Sequence, residues 1–257
     1  MTNLILKTHD NQGKIVLTLN RPDKFNALSE ALLAALKSEL ALIAADPAVR
    51  VVVLAGAGKA FCAGHDLGEM HGQRRLEYYR QLFTACTEVM EAITALPVPV
   101  IAKVHGVATA AGCQLVGACD LAVAAETARF AVSGINVGLF CSTPAVALSR
   151  NVPAKRAFEM LVTGDFIDAR TAAEWGLINT VTPLEDLDAV TDALASKIAA
   201  KSPDAIRRGK ALFYAQRERL QAQAYELACE VMAQNMMDEN TGEGIEAFLG
   251  KRPPVWR

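Results

Sequence analysis

The hydrophobic positions along this chain fall into short blocks whose period switches between that of a strand and that of a helix. Residues 4–8 and 14–19 read as two strands joined by the turn residues Asp10-Asn11-Gln12-Gly13, a hairpin signal. Ser29 predicts the N-cap of a helix running to about residue 45, where Asp46-Pro47 stops it. Residues 49–54 form a continuous β-branched run, the pattern of a strand buried on both faces. Residues 74–96 carry apolar side chains at helical spacing, and Pro97 and Pro99 bracket the entry to a second buried strand at 98–104. Two shorter strands at 120–124 and 129–132 follow, then helices at 154–161 and 169–175. The succession of strand, turn and helix recurs imperfectly, which predicts an α/β fold built as a stacked β-β-α spiral.

Beyond Leu184 the strand pattern stops. Helical stretches occupy residues 186–200, 204–232 with a break near Glu218, and 240–249. The shift places one boundary near Lys201-Ser202-Pro203, dividing a core over residues 1–200 from a helical region over 201–257.

Composition narrows the functional classes. A formal net charge of −2 over 257 residues supplies no broad basic field for nucleic acid or anionic membranes, so any anionic ligand must be held locally. The apolar stretches break before they could span a bilayer, and the start, Met1-Thr2-Asn3-Leu4-Ile5-Leu6-Lys7, lacks a basic n-region and a cleavable small-residue site; a soluble cytoplasmic protein is expected. Six cysteines, at 62, 86, 113, 119, 141 and 229, are scattered without CxxC pairs or a flanking histidine pattern. They predict buried reduced thiols, with neither disulfides nor a metal site. No Walker-type or dinucleotide glycine fingerprint occurs.

The candidate chemistry sits in two small-residue turns, Phe61-Cys62-Ala63-Gly64-His65-Asp66-Leu67 and Ala108-Thr109-Ala110-Ala111-Gly112-Cys113-Gln114. Each follows a strand-like run and precedes a helix-like one. Small residues let the backbone approach a ligand closely, and the free N–H groups at a helix start point outward with the positive end of the helix dipole behind them. Two such donors from separate turns form a split site for one developing oxyanion.

These turns, together with Arg21-Pro22-Asp23-Lys24-Phe25-Asn26-Ala27-Leu28, Val51-Val52-Val53-Leu54-Ala55-Gly56, Pro99-Val100-Ile101-Ala102, Leu161-Val162-Thr163-Gly164 and Glu243-Gly244-Ile245-Glu246-Ala247-Phe248, resemble the crotonase, or enoyl-CoA hydratase/isomerase, superfamily over nearly the whole chain. The resemblance implies a spiral core with a C-terminal helical trimerisation region, trimers often doubled to hexamers, and an acyl-CoA substrate that brings coenzyme A as part of itself, with no separate cofactor. It places the oxyanion-hole amides on His65 and Ala111. It places coenzyme contacts at Ala27, Ala63, His65, Asp66 and Leu67, with Phe248 and Lys251 of the tail added from a neighbouring subunit. Lys24 sits one place off the family's usual lysine.

The hydratases of this family carry two glutamates, at the positions of Gln114 and Gly134. A neutral amide and a hydrogen atom cannot relay a proton, whereas hydration needs a base for the water and an acid for the α-carbon. Efficient hydration is therefore not expected. Gln114 retains the capacity to position a water or carbonyl by hydrogen bonding, with a plain polar helix residue as the alternative. His65 titrates near neutrality, and Ala-Gly-His-Asp resembles the methylmalonyl-CoA decarboxylase branch; a ring that points away from the pocket is the plainer alternative. Decarboxylation or another enolate reaction, and acyl-CoA binding without catalysis, stand beside the first reading. Asp66 with Glu69 suggests a capping box, Cys141-Ser142-Thr143-Pro144 suggests pocket lining, and Glu69 or Glu88 are the carboxylates available to replace those lost.

Overall fold

Two sheets, each fed alternately by the chain and parallel except for one antiparallel edge pair, organise the protein in a computed structural model that describes residues 3–257. The strands are β1 (Ile5–His9), β2 (Lys14–Leu19), β3 (Val51–Gly56), β4 (Ala60–Cys62), β5 (Val100–Val104), β6 (Val107–Thr109), β7 (Leu121–Ala125), β8 (Arg129–Ala131), β9 (Ile167–Asp168) and β10 (Thr180–Thr182). The helices are α1 (Glu30–Ala44), α2 (Leu67–Gly72), α3 (Leu76–Ala95), α4 (Ala111–Ala118), α5 (Ser142–Leu148), α6 (Ala154–Thr163), α7 (Ala169–Glu174), α8 (Leu187–Ala199), α9 (Pro203–Arg217), α10 (Gln221–Met236) and α11 (Glu239–Leu249).

The larger sheet has the order β1-β2-β3-β5-β7-β10 and the smaller β4-β6-β8-β9. Each pair β3/β4, β5/β6 and β7/β8 contributes one strand to each sheet before the chain moves on, so the two sheets advance in step. This is the expected β-β-α spiral. Its β4, β6 and β8 rungs are three residues long; the strand expected at 129–132 is β8, whereas β4 and β6 are too short for any period to reveal.

Along β3 the period is two. Val52 and Leu54 pack into the main core with α1 and α3, while Val51 and Val53 meet Leu187 and Ala195 of α8 on the other face. The apolar run therefore sits between two helical layers, as a parallel strand buried on both faces requires. Ser29 caps α1 by accepting from the Leu32 N–H at 3.2 Å. The chain is entirely helical or loop after β10, and the predicted break near Glu218 separates α9 from α10.

Several expectations need correction. Cys229 is exposed, not buried; the other five cysteines are buried, and burial pushes the Cys62 and Cys113 thiols up to about 12. Asp66 does cap α2, accepting from Gly68 N–H at 3.0 Å and Glu69 N–H at 3.3 Å, but Glu69 does not complete the box; its carboxylate accepts from the Glu30 N–H at the start of α1. Met1 and Thr2, used in the argument about the chain start, lie outside the described residues. Among the described residues no helix is long and apolar enough to cross a membrane, and no three His, Cys, Asp or Glu side chains cluster as a metal site.

Candidate active site

The two small-residue turns stand at the C-terminal ends of β4 and β6, and these strands are parallel neighbours. The topology therefore sets the turns side by side, although some 45 residues of chain separate them. Their contact is close: a Cβ on Gly64 would lie 3.2 Å from the Ala111 nitrogen and 2.9 Å from the Ala110 Cβ, and one on Gly112 would overlap the Cys62 carbonyl. Gly64 also has φ +92°, which only glycine adopts without strain.

The first turn is held from one side by the segment 21–28. Asn26, fully buried with φ +54°, donates from Nδ2 to the carbonyls of Ala57 and Ala60, each at 2.8 Å, and lies 3.2 Å from that of Phe61, while its Oδ1 accepts from the Arg21 N–H at 2.9 Å. Arg21 donates to the Ala27 carbonyl and pairs with Asp66 at 3.0 Å. Burial raises the Asp66 pKa, but Arg21 and the amides of Glu69 and Gly68 outweigh it and hold the carboxyl below its usual range. Leu28 N–H donates to Gly64 O at 2.7 Å and Asp66 N–H to Leu28 O at 3.3 Å. This alternation uses the Gly64 carbonyl and the Asp66 N–H, and the His65 N–H between them meets no acceptor among the described residues.

The second turn uses strain. Ala110, the residue before α4, has φ +50° and ψ −121°, a region that costs a side-chain-bearing residue about 1–3 kcal/mol. Its own N–H is bonded to Ala131 O at 3.0 Å, which fixes it against β8. Ala111 opens α4, so its N–H has no intrahelical partner and none elsewhere among the described residues. Two unbonded amides, His65 and Ala111, thus flank a cavity of about 280 Å³.

Ala63, His65, Leu67 and Ala111 line that cavity, together with Met70, Phe83, Leu139, Phe140 and the segment 141–144. His65 is among the residues that line the cavity; its ring packs edge-on against Phe83 with centroids 5.4 Å apart and both ring nitrogens are buried, and burial lowers its pKa against an opposing backbone contact from Leu28. Gln114 is not in this wall. It lines a second cavity beside it, 5% exposed, with Oε1 buried and unpartnered. Ala27 is buried outside the cavity wall, and Phe248 and Lys251 are exposed on α11 and just after it, away from the wall within this chain.

Among the described residues no carboxylate lines the first cavity. Glu88 pairs with Lys37 at 2.8 Å on the surface and Glu69 is engaged with α1, so neither stands in for the family's glutamates. At Gly134 there is no space for one: a Cβ would fall 2.6 Å from Leu139 O and 2.8 Å from Cys141 Sγ. The loop has closed over the position. Sequence reasoning missed Asn26 as the pin of the first turn and Phe83 and Met70 as pocket walls. A buried-type asparagine next to Arg21-Pro22 was the available signal for the first; nothing in the helical spacing of α2 and α3 marks the others.

A sequence profile of the enoyl-CoA hydratase/isomerase family matches residues 9–257. The rat enoyl-CoA hydratase domain-containing protein 3, mitochondrial, is 45% identical over 98% of this chain and 84% of its own length. Among solved structures, an enoyl-CoA hydratase of Mycobacterium smegmatis is 59% identical with a TM-score of 0.98, covering 99% of each chain. Human enoyl-CoA hydratase domain-containing protein 3 is 43% identical with a TM-score of 0.96, covering 99% of this chain and 100% of that one. The rat protein and its Xenopus, mouse and human counterparts are named as mitochondrial, which overturns the expectation of a cytoplasmic location.

Proposed function

Because the chain belongs to the enoyl-CoA hydratase/isomerase family, we propose that it takes an acyl-CoA thioester, holds the thioester oxygen between the His65 and Ala111 amides, and works by stabilising an enolate rather than by paired-carboxylate hydration. The observation that carries this reading is the pair of unbonded amides on adjoining turns. Removing one donor of such a pair costs about 2.7–4 kcal/mol in comparable sites. A missing general acid or base costs roughly 10²–10⁴ in rate, and the cavity wall holds no carboxylate to supply either.

In this reading Ala27, Ala63, His65, Asp66 and Leu67 lie along the coenzyme, with Phe248 and Lys251 reaching it from a second copy. The exposure of Met232, Met237, Phe248 and Leu249 supports self-association through α10 and α11, as a trimer or a doubled trimer.

One observation favours a particular enolate reaction. His65 brings an imidazole, with both nitrogens buried, to the residues that line the cavity, whereas Gln114 and Gly134 carry no proton-relaying group. In decarboxylation of a malonyl-type thioester the bond from the α-carbon to the carboxylate breaks, its electrons move into the thioester as an enolate held by the two amides, CO₂ leaves, and the α-carbon takes a proton. Release of CO₂ that is lost on Gly64→Ala and kept on Gln114→Ala supports this route. Hydration of crotonyl-CoA at the rate of a two-glutamate hydratase refutes the enolate-only reading. Binding of a panel of acyl-CoAs with no change in any thioester marks a binding protein instead.

A further inference from the structure

The second cavity, about 460 Å³, is larger than the first and shares the wall residue Thr143 with it. Its chemistry differs. The first is lined mainly by aliphatic and aromatic side chains, whereas the second includes Thr87, Glu91, Asp120, Arg150, Tyr214 and Arg217. Most of these polar groups are already occupied. Asp120 accepts from Tyr214 at 2.8 Å and from Lys210 at 2.7 Å, Arg150 lies 3.6 Å from Glu218, and Arg217 donates to the Arg150 carbonyl at 2.8 Å.

Gln114 differs from these. It lies one turn into α4 from Ala111, on the same helix face. Its Oε1 is buried and meets no donor among the described residues. A buried acceptor left unpaired is destabilising, and the cheapest remedy is a donor brought by whatever fills the cavity. An alkyl chain brings none and would bury the oxygen further. A carboxylate brings none at neutral pH and repels it. A hydroxyl donates to Oε1 and can accept from the N–H of the same amide.

We propose that the second cavity continues the first past Thr143, receives the distal part of the acyl group, and selects through Gln114 for acyl groups that carry a hydroxyl there. The inference rests on the acyl-CoA reading above and names the substrate class within it.

The test is calorimetric titration of the full chain with butyryl-, hexanoyl-, octanoyl- and decanoyl-CoA, each with and without a terminal hydroxyl. At one chain length the hydroxyl should tighten binding by roughly 10- to 100-fold, the worth of satisfying one buried acceptor. In Gln114→Met, which matches the side chain in length and lacks the acceptor, that gain should vanish. Thermal melting shows whether the variant is folded, and the wild-type comparison stands without it. Failure of butyryl-CoA to bind the wild type overturns the acyl-CoA reading itself. Binding of butyryl-CoA with no hydroxyl gain at any length leaves Oε1 to water and overturns the selection, as does a gain that persists in folded Gln114→Met.

Discussion

Installing glutamate at positions 114 and 134 supplies, on paper, the two carboxylates that hydration requires. The structure predicts that the exchange fails at position 134. The Cβ alone would sit 2.6 Å from the Leu139 carbonyl and 2.8 Å from Cys141 Sγ, and the first of these is backbone that cannot rotate aside. Overpacking of this kind costs typically 1–3 kcal/mol, and in a chain of this size each kcal/mol lowers the melting temperature by roughly 2–4 °C. Gly134→Ala should therefore melt several degrees below the wild type, and Gly134→Glu at least as far below. The double variant Gln114→Glu with Gly134→Glu should still lack hydratase activity, because a glutamate that displaces residues 139–141 moves the cavity wall it was meant to serve. Following loss of the conjugated enoyl absorbance of crotonyl-CoA, together with thermal melts, reads both effects. A double variant that melts with the wild type and hydrates within tenfold of a two-glutamate hydratase would show that the closed loop at Gly134 is no obstacle.

Asn26→Ala removes the pin of the first turn and leaves the carbonyls of Ala57 and Ala60 without their donor; a loss of about 2–4 kcal/mol is expected by chemical denaturation, with acyl-CoA binding weakened in parallel. Lys210→Met removes the charged partner of Asp120 but leaves the carboxylate the Tyr214 hydroxyl and the Val100 N–H, and should cost about 1.5–3 kcal/mol, whereas Arg156→Met at an exposed pair should change stability by less than about 1 kcal/mol. Burial lowers the His65 pKa in the folded chain, so the unfolded chain binds the proton more readily below its own pKa near 6.5. Stability attributable to His65 should thus fall as pH drops from about 7 toward 5, and His65→Gln should flatten that part of the melting profile. A melting temperature equally pH-dependent in both proteins would contradict the burial of the ring.

Periodicity was most informative where elements are long. The two-faced burial of β3, the extent of α3 and the Ser29 cap follow from β-branched runs, helical spacing and a polar cap residue, each a local signal. It failed at β4 and β6, which are held by neighbours in the sheet and carry too few residues to show a period. The anion turns were readable as small-residue motifs, but their approach depends on the pairing of β4 with β6, a fact of topology. The placement of Gln114 in the lining of the second cavity, the packing of the His65 ring on Phe83, and the closed loop at Gly134 all depend on how neighbouring elements pack around α4, which no single segment encodes.

Adjacent strands in a sheet lie about 4.7–4.9 Å apart whatever side chains they carry. Since the His65 and Ala111 amides each follow the end of one of two such strands, the separation of the two amides is inherited from the ladder. Substitution in the surrounding walls can exchange one proton chemistry for another, or abolish it, without recalibrating that span. Sequence change on this scaffold is thereby free to alter the walls while the spacing of the two amides stays the same.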